Sequence, residues 1–415
     1  MIKTIIHRLL ERRHFWRYAT FSEIAELYAS RTMRVIAINI VAGFTSVYLY
    51  SEGYSLAFLT IFWIIFYLSK IPALIIANLV IGRFGPKHGT LYSNLLYVPA
   101  MVVLGFLPQI GISAIIIWAI FAILSSSLYQ LSYMVDFSKI KNMENAGKEL
   151  AFMNILEKVA IGLSPVLGGV IALWFGLEPV MWIAAAFFMV AALPLFKTPE
   201  PIKTRQRLKI VGFPWRANAS SIMAHLGKGF DVVTTGTIWS LFLVIVIFPG
   251  YGWEIYVKLG LLSSVTIITA LVASYAYGKV IDKNKGGELL KITVAFNSLV
   301  HIMRIFVNST PSIVATNISN EVATTGYGMA FMRGVFDAAD LSGHRIFYLC
   351  LVDIMQNIGA ALAMLVLLVL TSIFEVSLGF KIFFVVASLF VLLIGTAKFN
   401  IYNHKGRADH DSVIY

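Results

Sequence analysis

The fold is decided by the stretch from Lys197 to Arg216, which reads KTPEPIKTRQRLKIVGFPWR. Six of its twenty residues are Lys or Arg and three are proline, whereas apolar runs dominate the sequence on both sides. A basic segment interrupted by prolines does not fit the hydrocarbon of a bilayer and is typical of a cytoplasmic loop. The pattern therefore predicts two membrane bundles joined by a cytoplasmic linker over residues 197–218.

The composition of the 415-residue chain restricts its class. Hydrophobic residues make up 59% and charged residues 13%, about half the charge of a soluble domain. The net charge of +12 would suit nucleic-acid binding, but the basic residues lie in short loops on alternate sides of the apolar runs. That distribution is the positive-inside pattern. We therefore expect an integral membrane protein in contact with the lipid bilayer and without a nucleic-acid partner.

Apolar runs of about 20 residues predict membrane-spanning helices, because a hydrocarbon core of about 30 Å needs that many residues. The first half of the chain contains predicted spans 1 to 6 at 32–51, 54–81, 89–107, 110–135, 150–174 and 178–196. The second half contains predicted spans 7 to 12 at 219–248, 254–281, 288–307, 311–336, 344–373 and 377–399.

These spans divide the chain into five regions. They are an N-terminal segment 1–31 in the cytoplasmic interface, an N-terminal bundle 32–196, the linker, a C-terminal bundle 219–399 and a cytoplasmic tail 400–415. Lys and Arg concentrate in the linker and in the loops that follow even-numbered spans, for example Arg83 and Lys87 after span 2. This skew predicts that both termini lie on the cytoplasmic side of the plasma (inner) membrane.

An internal repeat relates the two halves. Three pairs of short motifs lie 199 to 201 residues apart, each pair at equivalent loops or spans. The matching stretches are residues 78–87 and 278–285, 135–136 and 336–337, and 154–158 and 353–357. The repeat predicts an all-α polytopic protein with twelve transmembrane helices in two pseudo-symmetric six-helix bundles, an architecture of transporters.

The loop after span 2 resembles the signature G-x-L-x-D-R-x-G-R/K-R/K of the major facilitator superfamily (MFS). It keeps Arg83, Gly85 and Lys87, while Asn78 and Gly82 replace the first glycine and the aspartate.

Two further stretches carry the same resemblance. The loop after span 8 keeps Gly278, Asp282 and Lys283, and residues 164–169 in span 5 are close to the family's G-P-x-x-G-G pattern. The arginine that many proton-coupled members carry in span 4 is absent. The resemblance implies the MFS fold, and a cytoplasmic gate latched by Arg83, Asp136, Asp282 and Asp337.

Polar side chains at membrane depth are the candidates for binding substrate or a coupling ion. Each costs about 2.5–3.5 kcal/mol on insertion scales unless it faces a partner or water. In span 10, Asn317, Asn320 and Glu321 share one helical face. The full predicted set comprises Tyr129, Gln130, Asn154, Glu157, Lys158, Lys228, Asp231, Asn317, Asn320, Glu321, Asp353, Gln356 and Asn357.

Two interpretations of these residues compete. In the first, Lys228 and Asp231 form a local i, i+3 ion pair and the amides hold helices together. In the second, the stripes line an aqueous cavity between the halves; their length favours this for Glu321 and Asp353. Lys70 and Arg304 are predicted as isolated cations that can extend to the interface.

The sequence predicts a secondary active transporter that moves a small-molecule substrate by alternating access. A desolvated carboxylate such as Glu321 or Asp353 suits proton coupling, and the span 5 pattern leans towards efflux. The same fold is compatible with a lipid or lysolipid translocator, and with a membrane scaffold or sensor that transports nothing.

Other classes of function find no support in the residues. No Walker motif occurs, so we expect no nucleotide drive and no cofactor. The eight histidines are scattered along the chain, which predicts neither a metal site nor an enzyme. We expect the protein to be a monomer.

Overall fold

The computed structural model describes residues 21–42, 45–140, 146–196, 210–250, 254–283 and 285–402. Most of the predicted N-terminal segment, linker and C-terminal tail therefore lies outside the described residues. Within them, every predicted span has a helix in its place, and each helix keeps its span number below. Nine of the described helices are long and apolar enough to cross a membrane.

In the first half, span 1 consists of Phe21–Ala42 and Thr45–Ser51, and span 2 of Leu56–Phe84. Spans 3 to 6 are Pro86–Gly105, Ile112–Ile140, Ala146–Phe175 and Leu177–Ala192, the last extended by a 3-10 turn over Leu193–Phe196.

In the second half, span 7 runs from Trp215 to Ile247 and contains two π-helical turns, Thr234–Ile238 and Leu243–Ile247. Span 8 consists of Glu254–Ser264 and Ile267–Asp282, and spans 9 to 11 are Gly286–Ile305, Thr310–Leu341 and Arg345–Ile373. Span 12 is Val376–Val391 with a 3-10 turn over Leu392–Thr396.

The largest difference from the predicted boundaries concerns span 1. Its helix begins at Phe21 rather than at residue 32. The physical reason is that polar residues of this extension have partners inside the protein: Glu26 pairs with Lys87 at 2.9 Å, and Ser30 accepts a hydrogen bond of 3.3 Å from Asn94.

Gly85 makes the turn between spans 2 and 3. Its φ of 92° lies in a region that glycine adopts without a steric penalty. Pro86 follows as the first residue of span 3, where its missing N–H is not needed. The retained glycine of the loop motif therefore has a local structural role.

Helix packing repeats between the halves. Span 1 packs on spans 5 and 6, span 3 on spans 4 and 6, and span 2 on span 4. In the second half, span 7 packs on spans 11 and 12, span 9 on spans 10 and 12, and span 8 on span 10. Between the halves, span 2 packs on span 11 and span 5 on span 8. These are the contacts expected of two parallel six-helix repeats.

Small residues allow the two halves to approach closely. A Cβ at Gly169 of span 5 would lie 2.9 Å from the carbonyl oxygen of Tyr256 in span 8. A Cβ at Gly260 would lie 2.8 Å from the carbonyl oxygen of Pro165. Glycines at such positions are typical of tightly packed membrane helices.

A polar layer separates two apolar clusters, each of which contains residues of both halves. In span 2, Phe66 belongs to one cluster and Leu74 to the other, with Lys70 between them. Spans 4 and 11 have the same order of apolar, polar and apolar residues. The candidate site therefore lies in this layer.

Candidate functional site

Ten charged side chains on seven helices, spans 1, 2, 5, 7, 9, 10 and 11, make up the polar site. The cations are Arg31, Arg34, Lys70, Lys158, Lys228 and Arg304, and the carboxylates are Glu157, Asp231, Glu321 and Asp353.

Arg34 of span 1 is the centre of the first-half network and is 1% exposed. Its guanidinium donates to Asn94 Oδ1 at 2.7 Å and to Ser125 Oγ at 3.2 Å. The ring of Tyr129 lies 3.9 Å from its Cζ atom. Among the described residues Arg34 forms no ion pair, so neutral acceptors and an aromatic face stabilise its charge.

Arg31, one turn before Arg34, pairs with Glu157. Its Nε donates to Glu157 Oε1, and its Nη1 donates to the Tyr129 hydroxyl at 3.1 Å. The ring of Tyr133 lies 3.5 Å from the guanidinium carbon. Spans 1, 4 and 5 are therefore joined by one charged network.

Lys158 and Glu321 form an ion pair between the two halves. Nζ of Lys158 in span 5 lies 2.8 Å from Oε1 of Glu321 in span 10. The side chains are 21% and 12% exposed, so the pair borders open space instead of a closed core. Glu321 also accepts a hydrogen bond of 2.8 Å from Thr325.

Asp231 of span 7 is the centre of the second-half network, and its side chain is fully buried. Asn297 donates to Oδ1 at 2.9 Å, His301 Nε2 lies 2.7 Å from the same oxygen, and the Tyr327 hydroxyl donates to Oδ2. The carboxylate is thus held by side chains of spans 9 and 10.

Arg304 continues this network and fixes the tautomer of His301. Its Nη1 lies 3.1 Å from His301 Nδ1, and its Nη2 donates to Asn320 Oδ1 at 2.9 Å. Because an arginine can only donate, Nδ1 of His301 accepts and Nε2 carries the proton towards Asp231.

A second charged cluster, which we call the lysine cluster, consists of Lys70, Lys228 and Asp353. The Asp353 carboxylate interacts electrostatically with both ammonium groups, although neither is within ion-pair distance. Lys228 Nζ lies 3.3 Å from the Met332 sulfur, and Asp353 is 3% exposed.

Most of the remaining predicted residues contact a neighbouring helix. Asn317 accepts a hydrogen bond of 3.0 Å from the Trp239 indole. Asn154 donates to Ser274 at 2.8 Å and so links spans 5 and 8. Gln130 contacts the sulfur of Met134 in its own helix.

Two residues of span 11 complete the set. The Asn357 side chain donates to the backbone oxygen of Asp353 at 2.7 Å. The backbone oxygen of Gln356 lies against Gly229 of span 7. The structure thus brings several predicted residues into three groups, around Asp231, around Lys158–Glu321 and in the lysine cluster, and leaves Gln130, Asn154, Asn317 and Gln356 outside them. The role of all these residues in transport stays a prediction.

The predicted gate residues lie at the helix ends nearest the loops of the repeat. Asp136 and Asp337 are 4% and 1% exposed, and Asp282 is partly buried. Arg83 is exposed, with its guanidinium carbon 5.3 Å from the Phe84 ring centre. Their gating role stays a prediction.

The structure contradicts part of the first interpretation and one expectation about the cations. Lys228 and Asp231 do not pair, because Asp231 faces spans 9 and 10 while Lys228 faces Met332 and Asp353. Lys70 and Arg304 are not isolated cations either, since each has a charged or polar partner in the interior.

Sequence reasoning missed Arg31, Arg34, His301 and Tyr327. The spacing of polar residues indicates two of them, Arg34 and His301. Ser30 and Arg34 are four residues apart, and Asn297, His301 and Arg304 follow at i, i+4 and i+7. This spacing defines one helical face, as in span 10.

A cavity of about 400 Å³ lies away from these networks, at the ends of spans 1 and 7 and the start of span 8. Its lining includes Tyr50, Glu52, Val244, Phe248 and Tyr256. None of the predicted site residues lines it. Across the described ranges, no group of three or more His, Cys, Asp or Glu side chains could hold a metal ion.

Comparison with known proteins places the chain in a family. A sequence model described as the Major Facilitator Superfamily matches residues 27–338. The crystal structure of the human organic anion transporter MFSD10 (TETRAN) is similar, with a TM-score of 0.69, 12% identity, and coverage of 90% of this chain and 97% of that chain. A comparison with curated protein sequences gives no match.

A second solved structure has the same fold. The E. coli fucose:proton symporter FucP matches with a TM-score of 0.65 and 12% identity, over 91% of this chain and 99% of that one. At such identity the likeness concerns the fold. The family match over most of the chain, together with the repeated helix packing, confirms the resemblance: the protein belongs to the major facilitator superfamily and is an integral membrane protein of that transporter type.

Proposed function

We propose that the protein is a secondary active transporter that moves a small solute by alternating access. The two bundles rock about the polar layer and open it to each side of the membrane in turn. The solved relatives carry different solutes by their descriptions, an organic anion in one case and fucose with a proton in the other. The fold by itself therefore leaves the substrate open.

The observation that carries this proposal is the Lys158–Glu321 pair. Two charges at membrane depth are costly unless each meets a partner or water. Here the partners come from opposite halves and remain partly accessible. A contact of this kind can break and re-form when the halves move relative to each other, whereas a contact within one bundle is unchanged by that motion.

In this proposal the loop-end residues act as the inner gate. Asp136 and Asp337, at equivalent ends of spans 4 and 10, anchor the closed cytoplasmic face together with Arg83 and Asp282. The burial of both aspartates supports this role. Both termini lie in the cytoplasm, the protein resides in the plasma membrane and it works as a monomer.

Proton coupling through Glu321 and Asp353 completes the proposal. Purified protein in detergent is screened for ligands by shifts in melting temperature, and bound ligands are then tested for movement into proteoliposomes with an imposed pH gradient. We expect gradient-driven accumulation by the wild type and its loss in Glu321→Gln. The matched control is Glu288→Gln, which changes an exposed carboxylate.

Two results would contradict the proposal. A ligand that binds but never crosses the membrane would favour the scaffold or sensor. Full gradient-driven transport by both Glu321→Gln and Asp353→Asn would remove these carboxylates from the coupling mechanism.

A further inference from the structure

We infer that the lysine cluster of Lys70, Lys228 and Asp353 binds the acid group of an organic monoanion, so that the transported substrate is such an anion. This inference rests on the proposed function, since it names the substrate class of the same polar layer. It concerns a set of residues that joins the two halves, because Lys70 belongs to the first half and its partners to the second.

Backbone contacts place the three side chains together. Leu226 and Gly229 of span 7 lie against Gly359 and Gln356 of span 11, where a Cβ on either glycine would meet a carbonyl oxygen at 2.0 Å or less. Lys228 is thereby held beside the helix that carries Asp353. On the other side, Cys350 Sγ lies 3.9 Å from the backbone oxygen of Leu74, one turn from Lys70.

The charge of the cluster is not balanced. Around the Lys158–Glu321 pair, Arg31 and Glu157 complete a neutral set of two cations and two carboxylates. In the lysine cluster two ammonium groups share one carboxylate, which leaves one excess positive charge. An uncompensated charge in a low-dielectric interior is unfavourable, and a bound monoanion removes it.

Arg34, the other cation without a carboxylate partner, is a weaker candidate for binding an anion. Arg34 is 1% exposed, and its guanidinium is bonded to Asn94 and Ser125. Lys70 and Lys228 are only partly buried, and neither ammonium donates a hydrogen bond to an oxygen of the described residues. An ammonium group offers three donors, so both lysines can bind the oxygens of an entering acid.

Asp353 indicates a second feature of the ligand. Its Oδ2 atom is buried and has no hydrogen-bond partner among the described residues. A buried acceptor without a donor is costly, so a ligand that carries a hydroxyl or amino group beside its acid group fits best. The geometry thus favours hydroxy and amino carboxylates over simple fatty or aromatic acids.

The test uses the full-length protein and defined probes. Binding of lactate, mandelate and gluconate is measured by thermal shift and calorimetry, each beside its neutral amide. We expect at least one acid to raise the melting temperature and its amide to leave it unchanged. Lys70→Gln and Lys228→Gln should each weaken binding of that acid by roughly tenfold or more, the loss of one charged hydrogen bond. Lys291→Gln, which alters an exposed lysine, should bind like the wild type.

Asp353→Asn provides a variant with the opposite expected sign. It removes the internal carboxylate that competes for both lysines while keeping the side-chain shape. Propionate, an acid without a hydroxyl group to donate to Asp353, should therefore bind several-fold more tightly to this variant. A residue with only a structural role would not produce a gain. The inference is overturned if no acid binds, if amides bind as well as acids, if both lysine variants bind like the wild type, or if Asp353→Asn weakens the binding of propionate.

The result separates this inference from the transport proposal. An acid that binds as described but is not carried into proteoliposomes contradicts transport and leaves the anion site intact. A neutral or cationic solute that is transported regardless of Lys70→Gln and Lys228→Gln contradicts the anion site and leaves transport intact.

Discussion

The network around Arg34 in spans 1, 3 and 4 and the network around Asp231 in spans 7, 9 and 10 occupy equivalent helices of the two halves. Each holds a fully buried charge near the middle of its bundle. In the first half the charge is a cation held by neutral acceptors and rings. In the second half it is a carboxylate held by Asn297, His301 and Tyr327.

This difference shows that duplication kept the place of the buried charge but not its sign. An arginine stays protonated in proteins, so the first-half network has a fixed charge. In the second half, His301 donates its Nε2 proton to Asp231 while Arg304 donates to Nδ1, so the buried carboxylate is held by hydrogen-bond donors. The two networks therefore differ in the sign of the charge that their hydrogen bonds stabilise.

The largest expected effect is that of Asp231→Asn. The substitution keeps the shape but leaves Arg304 without a nearby carboxylate, and breaking a buried charge network costs about 3–5 kcal/mol. Denaturation in detergent should show this loss, and Arg304→Gln in the same chain should recover part of it. If Asp231→Asn left the stability unchanged, the buried carboxylate would not be the group that holds the second-half network together.

A smaller effect, shared by both halves, is expected at two glycines. A Cβ at Gly168 would lie 2.1 Å from the Ile40 oxygen, and one at Gly359 2.0 Å from the Leu226 oxygen. Overpacking of this kind costs about 1–3 kcal/mol, so Gly168→Ala and Gly359→Ala should both lower the melting temperature. Gly328→Ala is the control, since nothing lies within 4 Å of its Cβ position. A lower melting temperature for only one of the two variants would show that the two bundles are not equivalent at these contacts.

For Arg34→Met we expect a loss at the lower end of the range of about 1–3 kcal/mol for unsatisfied buried acceptors. The groups left behind, Asn94 and Ser125, are neutral, and Ser125 keeps its own bond to the Ser93 oxygen. The same denaturation assay checks this value. If Arg34→Met lowered the free energy of unfolding as much as Asp231→Asn does, the loss on removing a buried charge would not depend on the sign of that charge.

The smallest effect concerns the contact between the halves. Interhelical polar pairs in membrane proteins are worth on the order of 0.5–1 kcal/mol. A double-mutant cycle of Lys158→Gln and Glu321→Gln should give a coupling of that size. Additive losses would show that the two side chains act separately.

The sequence predicted the fold because hydropathy and the repeated loops are local signals. It also identified Glu321, Lys158 and Asp353 through polar stripes on single helices. It did not predict that Lys158 meets Glu321, since that contact depends on which helices of the two halves adjoin. It missed Arg31 because residues 1–31 are predicted to lie in the interface, and Arg34 because a single cation near the start of predicted span 1 does not reveal its partners.

His301 and Tyr327 were missed for a related reason. They reach Asp231 from 70 and 96 residues away, and a single polar residue in an apolar helix does not reveal its partner. The early start of span 1 has the same origin, because buried partners offset the polarity of Glu26 and Ser30.

Span 7 contains two π-helical turns after Asp231, and the second of them lines the cavity at the far end of the helix. A π turn holds about one residue more than an α turn, and each residue of an α-helix adds about 1.5 Å and a rotation of about 100°. Conversion of the first turn to α geometry would rotate the segment that follows it, including Trp239, relative to Asp231. A local change between π and α geometry in span 7 can therefore change the direction of the side chains beyond the turn while Asp231 stays in place.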